Sequence, residues 1–380
     1  TFRRRGKLLL TLGLLTAAGS MFMTALNVKA GWNRNLADSF ASRQYDFEIR
    51  LSRPESAEKC TSLIREIPGV KTAEAWGFAP ASGAQHDGFD LNHTYPDGGH
   101  GSLTLKGVPD GSTLVRFPVL SGRWLKQGDT DAVVLNQLAV AQLLNPSVGA
   151  TVSLTVNGKL RTWRVAGIVK ELGPASAYVT EKSFEERVTV PGYATSLRVV
   201  TADKTLEERA RVIHGIEEAL KSANIGISMV IADAEFRDAI SDHIFILIFS
   251  LVAMAGLMTV VGMLGLTSTM STNVLERTRE FGVMRAIGGT PATVFRNIIS
   301  EAVFIGMLSI VGAVALSMPL SYAVGKLIGT LTFKTPLPME ISFHGIVIWI
   351  GIVVIGSVVS SAFPAWRASR MTVRETLVYE

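Results

Sequence analysis

The amino-acid sequence predicts a membrane protein of four transmembrane helices, with an α+β extracytoplasmic domain inserted between the first and second helices. Four apolar runs predict the helices, because each approaches or exceeds the ~20 residues that cross a bilayer as an α-helix. Residues 30–242, between the first two runs, carry short apolar stretches that alternate with polar residues and predict the folded domain. Hydrophobic residues make up 48% of the 380 and charged residues only 18%, a balance that excludes an ordinary soluble protein.

The first predicted element is a cytoplasmic basic head followed by transmembrane helix 1, over residues 1–29. The head carries four basic residues, Arg3, Arg4, Arg5 and Lys7. The uncharged run from Leu8 to Val28 is longer than the apolar part of a usual signal peptide, and its only candidate cleavage site is weak, which favours a membrane span. Because the chain begins with Thr1, we expect it to be clipped or to be the later part of a longer polypeptide.

Residues 30–242 are predicted to form the α+β domain. The predicted strands are 45–51, 70–76, 103–108, 131–135, 151–156, 161–169, 193–200 and 226–231, and the predicted helices are 55–67, 136–144, 206–222 and 233–242. Asn157-Gly158 stands between two alternating runs and predicts a β-hairpin. Strands and helices mix without regular βαβ alternation, so an α+β fold is favoured over a doubly wound sheet.

One segment of this domain could be interpreted as a metal site. Residues 77–101 are predicted as a long loop or a hairpin excursion and contain six imidazole and carboxylate side chains, His86, Asp87, Asp90, His93, Asp97 and His100. Their spacing matches no fixed ligand pattern, so a solvated loop is favoured. Cys60 is the only cysteine, which excludes an intrachain disulfide and a multi-thiolate zinc site.

The rest of the chain is predicted to return to the membrane three times. The predicted order is transmembrane helix 2 over 243–271, a cytoplasmic loop over 272–297, helix 3 over 298–325, a short outer loop over 326–340, helix 4 over 341–363 and a cytoplasmic tail over 364–380. Lys and Arg are concentrated in the head, the 272–297 loop and the tail. Since cytoplasmic loops carry the excess of these residues, both termini are predicted to be cytoplasmic and the α+β domain to lie outside.

The charged loop between helices 2 and 3 is patterned. Phe281, Met284 and Ile287 recur three apart, with Val274 and Thr278 on nearly the same face, which predicts a short amphipathic helix. Charged residues occupy the remaining positions: Glu276, Arg277, Arg279, Glu280 and Arg285. Such a helix could dock in a groove of a partner protein or rest on lipid headgroups, and the pattern alone favours neither.

The loop is also expected to have a defined end. Gly288-Gly289 predicts a helix stop, and Thr290-Pro291 predicts the N-cap and first residue of the next helix. Glu301 follows near the inner edge of the third span. An ionisable residue there is a functional candidate, but an interfacial carboxylate paired with a nearby arginine is favoured.

Three segments resemble one protein family. ERTREFGVMRAIGG, from Glu276 to Gly289, is similar to the signature of the FtsX-like (MacB-type) ABC transporter permeases, with Glu301 as the family's glutamate at the start of the next span. The tail PAWRASRMTVRETLVYE resembles the family's closing motif, although Val373 replaces its usual proline and Thr376 its usual alanine. Gly122 to Val169 resembles the family's extracytoplasmic core domain. The chain is therefore identified as a member, with the order of one plus three spans in agreement.

This resemblance implies a permease subunit that works with a cytoplasmic ABC ATPase dimer. The ATP and Mg²⁺ would belong to that partner, and no cofactor, metal or catalytic residue is expected in this chain, which has no Walker A motif. The helix over about 274–287 would be the coupling helix in a groove of the ATPase. The expected interface residues are Val274, Glu276, Arg277, Arg279, Glu280, Phe281, Met284, Arg285 and Ile287, with Glu301 as a carboxylate at the membrane edge.

The resemblance further implies mechanotransmission, in which ATP binding closes the cytoplasmic side and rigid helices carry the motion outward to export or extract an amphiphilic substrate. The expected partners are a second permease copy or repeat, the lipid bilayer, and an extracytoplasmic adaptor or substrate protein, without nucleic acid. The expected location is the bacterial cytoplasmic (inner) membrane. Two alternatives remain: an FtsX-like regulator that activates a cell-wall hydrolase without transport, and a membrane-anchored enzyme, for which the sequence offers no catalytic constellation.

Overall fold

A computed structural model describes residues 5–83 and 103–371 of the chain. In chain order its elements are α1 (Arg5–Ala41), β1 (Phe47–Ser56), α2 (Ala57–Arg65), β2 (Val70–Gly83), β3 (Leu103–Val108), β4 (Val119–Gly122), β5 (Ala132–Asn136), α3 (Gln137–Gln142), β6 (Thr151–Val156), β7 (Lys159–Val169), β8 (Ser176–Thr180), α4 (Glu181–Arg187), β9 (Tyr193–Thr201), α5 (Leu206–Ser222), β10 (Ile227–Ala232), α6 (Asp233–Glu276), α7 (Thr278–Ala286), α8 (Pro291–Phe333) and α9 (Phe343–Ser369). The predicted metal-site candidate lies outside the described residues.

The chain divides into two units. A membrane unit comprises Thr1–Arg34, Asp242–Ile328 and Leu337–Glu380, and an outer unit comprises Asn35–Ser241 and Gly329–Pro336. Among the described residues, four helices are long and apolar enough to cross a membrane, over Leu8–Ala41, Ile244–Glu276, Pro291–Phe333 and Phe343–Ser369. The predicted class, four apolar helices with an α+β domain between the first and second, is confirmed.

The helices are longer than the spans predicted from hydropathy. α1 continues to Ala41, well past Lys29, because Trp32 and Leu36 supply buried apolar residues on one of its faces. α8 begins at Pro291 and ends at Phe333, beyond both ends of the predicted third span. α9 runs through Pro364 to Ser369, where the sequence predicted a tail, since one proline removes a single backbone donor. Hydropathy therefore locates the apolar centre of each helix and misses its polar ends.

Small and polar side chains hold the membrane unit together. A Cβ on Gly19 would lie 2.5 Å from the indole nitrogen of Trp349, so these two helices approach closely only because residue 19 is glycine. Asn27 donates from Nδ2 to the Ser321 hydroxyl at 3.0 Å and accepts the Ser342 backbone N–H at 2.8 Å. This one amide therefore joins α1, α8 and the start of α9.

The outer unit has two β layers that share strand β2. The first layer has the order β10-β1-β9-β2 and packs its apolar face on α2 and α5, around core residues such as Ile49, Ile64 and Ile216. In the second layer the pairings β2-β3-β8-β5-β7-β6 return to β2 and close a six-stranded barrel. Trp163 and Phe184 are buried in the core formed by the barrel strands and α4.

Local sequence signals explain most of these elements. Every strand and helix predicted between residues 45 and 242 is present, with the predicted bounds for β3, β6 and α5 and with shifted bounds for the others. The predicted Asn157-Gly158 turn is confirmed, with positive φ at both residues and Val156 paired with Lys159. Strands β4 and β8 and helix α4 were not predicted. They are short, and tertiary contacts rather than a local alternating pattern determine which of their residues are buried.

Charged side chains are buried where the two layers meet. Arg198 on β9 is 2% exposed and stacks over the Trp76 ring at 3.4 Å from its centroid. Glu48 on β1 lies 3.0 Å from Arg50 and 3.9 Å from Arg198. Burial opposes ionisation of Glu48, but the charges of Lys106, Arg198 and Arg50 outweigh it and lower the pKa of this carboxyl to about 2. Glu48 therefore contributes to stability as a carboxylate.

This pKa shift predicts acid sensitivity. Because the folded pKa lies below the ordinary value of 4.5, the stabilisation is fully present above pH 4.5 and is lost as pH falls towards 2. We expect the free energy of unfolding of the outer unit to decrease by about 3 kcal/mol over that interval. Urea unfolding followed by tryptophan fluorescence at pH 6, 4 and 3 measures it. Glu48→Gln should flatten the profile, whereas Glu66→Gln, at an exposed site, should leave its slope unchanged; equal slopes in all three proteins would contradict the assignment.

Candidate functional site

The chain between α6 and α8 forms a short helix that begins at a break. The sequence predicted one helix over about 274–287, but α6 ends at Glu276, and α7 begins at Thr278. Arg277 separates them with φ −107° and ψ 17° and provides no side-chain cap. The predicted stop is confirmed: Gly288 has φ +102°, a conformation that favours glycine, and α8 begins at Pro291.

One face of this segment is packed inside the membrane unit. Val274 and Phe281 are 5% and 4% exposed and lie in a core with four residues of α8 and α9, Val294, Ile298, Ala365 and Ala368. Met284 packs against the same core. These three predicted interface residues thus fix α7 on its own unit, because a buried side chain has little surface left for a partner. That these three residues belong to the partner interface remains a prediction. As buried residues they would contribute to it indirectly, by supporting the exposed face of α7.

The opposite face is exposed and mixed in character. Four predicted interface residues lie on it: Glu276, Arg279, Glu280 and Ile287, of which Ile287 is 82% exposed. Leu275 and Val283, 67% and 51% exposed, join them and were not predicted. The sequence did contain a signal for the exposure of Val283, because Val283 and Ile287 are four residues apart and form a second apolar stripe. The 3-residue spacing of Phe281, Met284 and Ile287 obscured it.

Arg277 connects the break to the neighbouring helix. Its Nε lies 2.7 Å from the Glu280 carboxylate and its Nη1 3.0 Å from Glu301 Oε2. The hydrogen bond to Glu280 raises the pKa of Arg277; burial opposes this, and the charge of Glu301 adds to it. The predicted pairing of the Glu301 carboxylate with an arginine is confirmed, and its place at the membrane edge remains a prediction. Glu301 is therefore a structural anchor of the segment.

Arg285 anchors the other end of α7. Its guanidinium donates to the backbone carbonyls of Ser369, at 3.3 Å, and Met371. Carbonyls at the end of a helix lack intrahelical partners, so this arginine caps α9 while it holds α7. Through Arg277 and Arg285 the exposed face is bonded to α8 and to the C-terminal end of α9, and it follows a third helix, α6, in the chain.

Comparison with known families decides the identity. Residues 245–373 match the FtsX-like permease C-terminal family. Residues 8–218, more than half of the chain, match the MacB-like periplasmic core domain. The chain belongs to the FtsX-like, MacB-type ABC transporter permeases. The resemblance carried by Glu276–Gly289 and Gly122–Val169 is thereby confirmed, and helices α6, α8 and α9 form the FtsX-like part of the permease.

Curated relatives agree. The permease is 23% identical over 269 residues to an uncharacterized ABC transporter permease of Methanocaldococcus jannaschii, covering 69% of this chain and 65% of the relative. It is 23% identical over 280 residues to a pyoverdine export ATP-binding/permease protein of Pseudomonas fluorescens, covering 68% and 40%. A macrolide export ATP-binding/permease protein of Syntrophobacter fumaroxidans is 33% identical over 131 residues, covering 34% and 17%. The permease thus spans less than two thirds of each of these relatives.

Solved structures also resemble part of the chain. The periplasmic region of MacB from Actinobacillus actinomycetemcomitans superposes with a TM-score of 0.34 and 12% identity, covering 54% of this chain and 97% of that structure. The extracellular domain of the ABC-type transporter YknZ from Gram-positive bacteria gives a TM-score of 0.33 and 15% identity, covering 48% and 99%.

The Arg277–Glu301 pair predicts the local stability of α7. Glu301→Gln keeps the shape of the side chain but removes its charge, so the break should loosen. For this half-buried pair we expect a loss of about 1 kcal/mol, roughly a fivefold increase in local opening. Hydrogen–deuterium exchange of the 278–286 amides in the intact permease measures it. Arg296→Gln, which neutralises an exposed charge on α8, is the control. Unchanged exchange in Glu301→Gln would mean that the pair does not hold the segment.

Proposed function

We propose that this chain is the permease subunit of an ABC transporter and that it converts ATP hydrolysis by a separate cytoplasmic ATPase dimer into movement of its membrane and outer domains. The ATP and Mg²⁺ belong to the ATPase, and this chain binds neither. The observation that carries the proposal is the exposed face of α6 and α7, formed by Leu275, Glu276, Arg279, Glu280, Val283 and Ile287. Alternating charged and apolar side chains of this kind suit a protein groove.

The anchoring of this face favours a mechanical role over a resting place on lipid. An amphipathic helix that binds only headgroups needs no fixed attachment, since it follows the membrane surface. α7 is attached at both ends by charged hydrogen bonds, from Arg277 to Glu301 and from Arg285 to the end of α9. A partner that displaces α7 therefore pulls on α8 and α9 together.

The length of α6 supports transmission away from the cytoplasm. This helix is continuous for 44 residues, from Asp233 to Glu276. An α-helix resists compression along its axis because each turn is hydrogen bonded to the next. A push at Glu276 is thus delivered at Asp233, which belongs to the outer unit. Two permease halves around two ATPases, as copies or repeats, would act on a substrate between them.

The comparisons bear on what is moved. Residues 8–218 match a MacB-like periplasmic core domain, which supports a transporter over the alternative of an FtsX-like regulator of a cell-wall hydrolase. Two relatives are named as export proteins for pyoverdine and for macrolides, which supports export over extraction. We place the permease in the bacterial inner membrane with both termini in the cytoplasm, in agreement with its Lys and Arg distribution.

The proposal predicts the effect of charge reversal on the exposed face. Arg279→Glu should leave the fold intact, because Arg279 is exposed, and should reduce permease-stimulated ATP hydrolysis by about three- to tenfold by placing a like charge against the ATPase groove. The measurement is Mg²⁺-dependent ATP hydrolysis by the complex purified through a tag on the permease and reconstituted in nanodiscs.

The control is Lys159→Glu, an equal charge reversal at an exposed site of the outer unit. Glu280→Lys is a weaker probe because it also breaks the bond to Arg277. Two outcomes would overturn the proposal: purification that never recovers an ATP-hydrolysing subunit, or stimulated hydrolysis by Arg279→Glu equal to that of the wild type.

A further inference from the structure

One arginine in the outer unit joins three parts of the chain that are far apart in sequence. Arg43 follows the end of α1 by two residues, and its side chain is only 9% exposed. Its Nη1 lies 3.3 Å from Oδ1 of Asp233, the first residue of α6. Its Nη2 donates to the Leu172 carbonyl and lies 3.8 Å from the Glu171 carboxylate. A single guanidinium thus contacts the start of α6 and the loop between barrel strands β7 and β8.

The partners of Arg43 are themselves fixed. Glu171 accepts hydrogen bonds from Asn136 Nδ2 at 3.0 Å and Lys106 Nζ at 3.4 Å. The Gln137 amide bonds both the N–H and the carbonyl of Glu171. Asn136, Gln137 and Lys106 belong to β5, α3 and β3, so Glu171 is tied into the barrel. Whatever moves Arg43 therefore moves the barrel wall.

The backbone around Arg43 is also held. The Asp233 N–H bonds the Asp46 carbonyl at 3.0 Å, which joins the chain after α1 directly to the start of α6. Gln44 N–H bonds the Leu114 carbonyl, and Arg116 N–H bonds the Ser42 carbonyl. Gly173 leaves room for the guanidinium, because a Cβ there would lie 2.9 Å from Arg43 Nη2. The arginine is thus enclosed in one geometry.

Arginine suits this position for a physical reason. Its planar guanidinium has five donors in a rigid fork and can serve several acceptors at once, whereas a lysine ammonium acts as a single point charge. Buried ion pairs add less to stability than apolar packing, but they tolerate only one arrangement of their members. A buried arginine between a helix start and a barrel wall is therefore better suited to fixing relative position than to strengthening the core.

We propose that Arg43 is the positioning residue through which the ends of α1 and α6 move the barrel. The inference rests on the proposed function, because that function supplies the motion of the helices. Asp233 receives the displacement of α6, Arg43 passes it to Glu171 and Leu172, and the hydrogen bonds of Glu171 distribute it to β3, β5 and α3. Without the guanidinium the helices would move and the barrel would lag behind.

Two spin-label distances in the nanodisc-reconstituted ATPase complex test this step. The background is Cys60→Ser, which removes the only native cysteine. The helix pair carries labels at Ala37 on α1 and Glu235 on α6, and the barrel pair carries labels at Glu235 and Leu160, all exposed sites. In the wild type we expect addition of MgATP with vanadate to shift both distances. In Arg43→Gln the helix pair should still shift, the shift of the barrel pair should be lost, and ATP hydrolysis should remain at the wild-type rate.

Companion variants keep the test decisive. Asp233→Asn removes only the helix side of the contact and should also abolish the barrel shift, so it carries the test where Arg43→Gln fails to fold. Arg43→Lys should restore part of the shift. The control is Arg123→Gln, which removes another barrel-side ion pair, 2.6 Å from Asp129 and remote from both helices in sequence; it should keep both shifts.

The outcomes separate the two proposals. A full barrel shift in both Arg43→Gln and Asp233→Asn, with both shifts abolished by Arg279→Glu, would overturn the role of Arg43 and leave the proposed coupling standing. Absence of both shifts in the wild-type complex during ATP hydrolysis would overturn coupling and the role of Arg43 together. Loss of the barrel shift in the two variants and its retention in Arg123→Gln would support the inference.

Discussion

A bilayer interior offers no hydrogen-bond partner to backbone N–H and C=O groups, and this constraint governs the membrane unit. Every crossing segment must be a helix, and polar side chains inside it must find partners within the protein. Thr259 and Ser361 bond back to carbonyls four residues earlier, at 2.6 Å each. Asn27 bonds two other segments of the unit. The helices are therefore stiff and are joined by buried polar hydrogen bonds, and such helices are suited to transmitting a displacement.

The same stiffness makes the interruption at Arg277 informative. The helix α6 stays continuous for 44 residues and then ends at a defined place, beside the Arg277–Glu301 pair. Beyond the break, α7 presents charged and apolar residues outward while Phe281 holds it inward. Stiff helices, the break at Arg277 and an anchored exposed face are the features on which the proposed mechanical role of this chain rests.

Much of this was predictable from residues alone, and the remainder has identifiable physical causes. Hydropathy located all four spans, and alternation located eight strands, because both patterns record which side chains meet water. The continuation of α1 to Ala41 was missed because residues 29–41 carry no apolar run. The closure of the barrel was missed because pairing between distant strands leaves no local signal.

The candidate site was also predicted only in part, because the residues that it exposes depend on the folded backbone. The sequence predicted a short helix with exposed charges and the pairing of Glu301 with an arginine, both of which the structure shows, while the role of these residues in a partner interface stays a prediction. Which apolar side chains face outward depends on the break at Arg277, where an ordinary residue adopts an irregular backbone. Nothing in the residue types marks such a break, so the exposure of Leu275 became visible only in the folded chain, whereas the four-residue spacing of Val283 and Ile287 was a sequence signal that the three-residue pattern obscured.

Strand β2 belongs to both layers, and this limits where residues can be inserted or deleted in the outer unit. Its residues 70–76 pair with β9 in one layer, and its residues 77–83 pair with β3 and β6 in the other. Side chains on a strand alternate between faces, so one inserted or deleted residue reverses every side chain that follows. A length change in β2 would misplace residues in both cores at once. We therefore expect homologues to differ in length on either side of this strand while its fourteen residues remain without gaps.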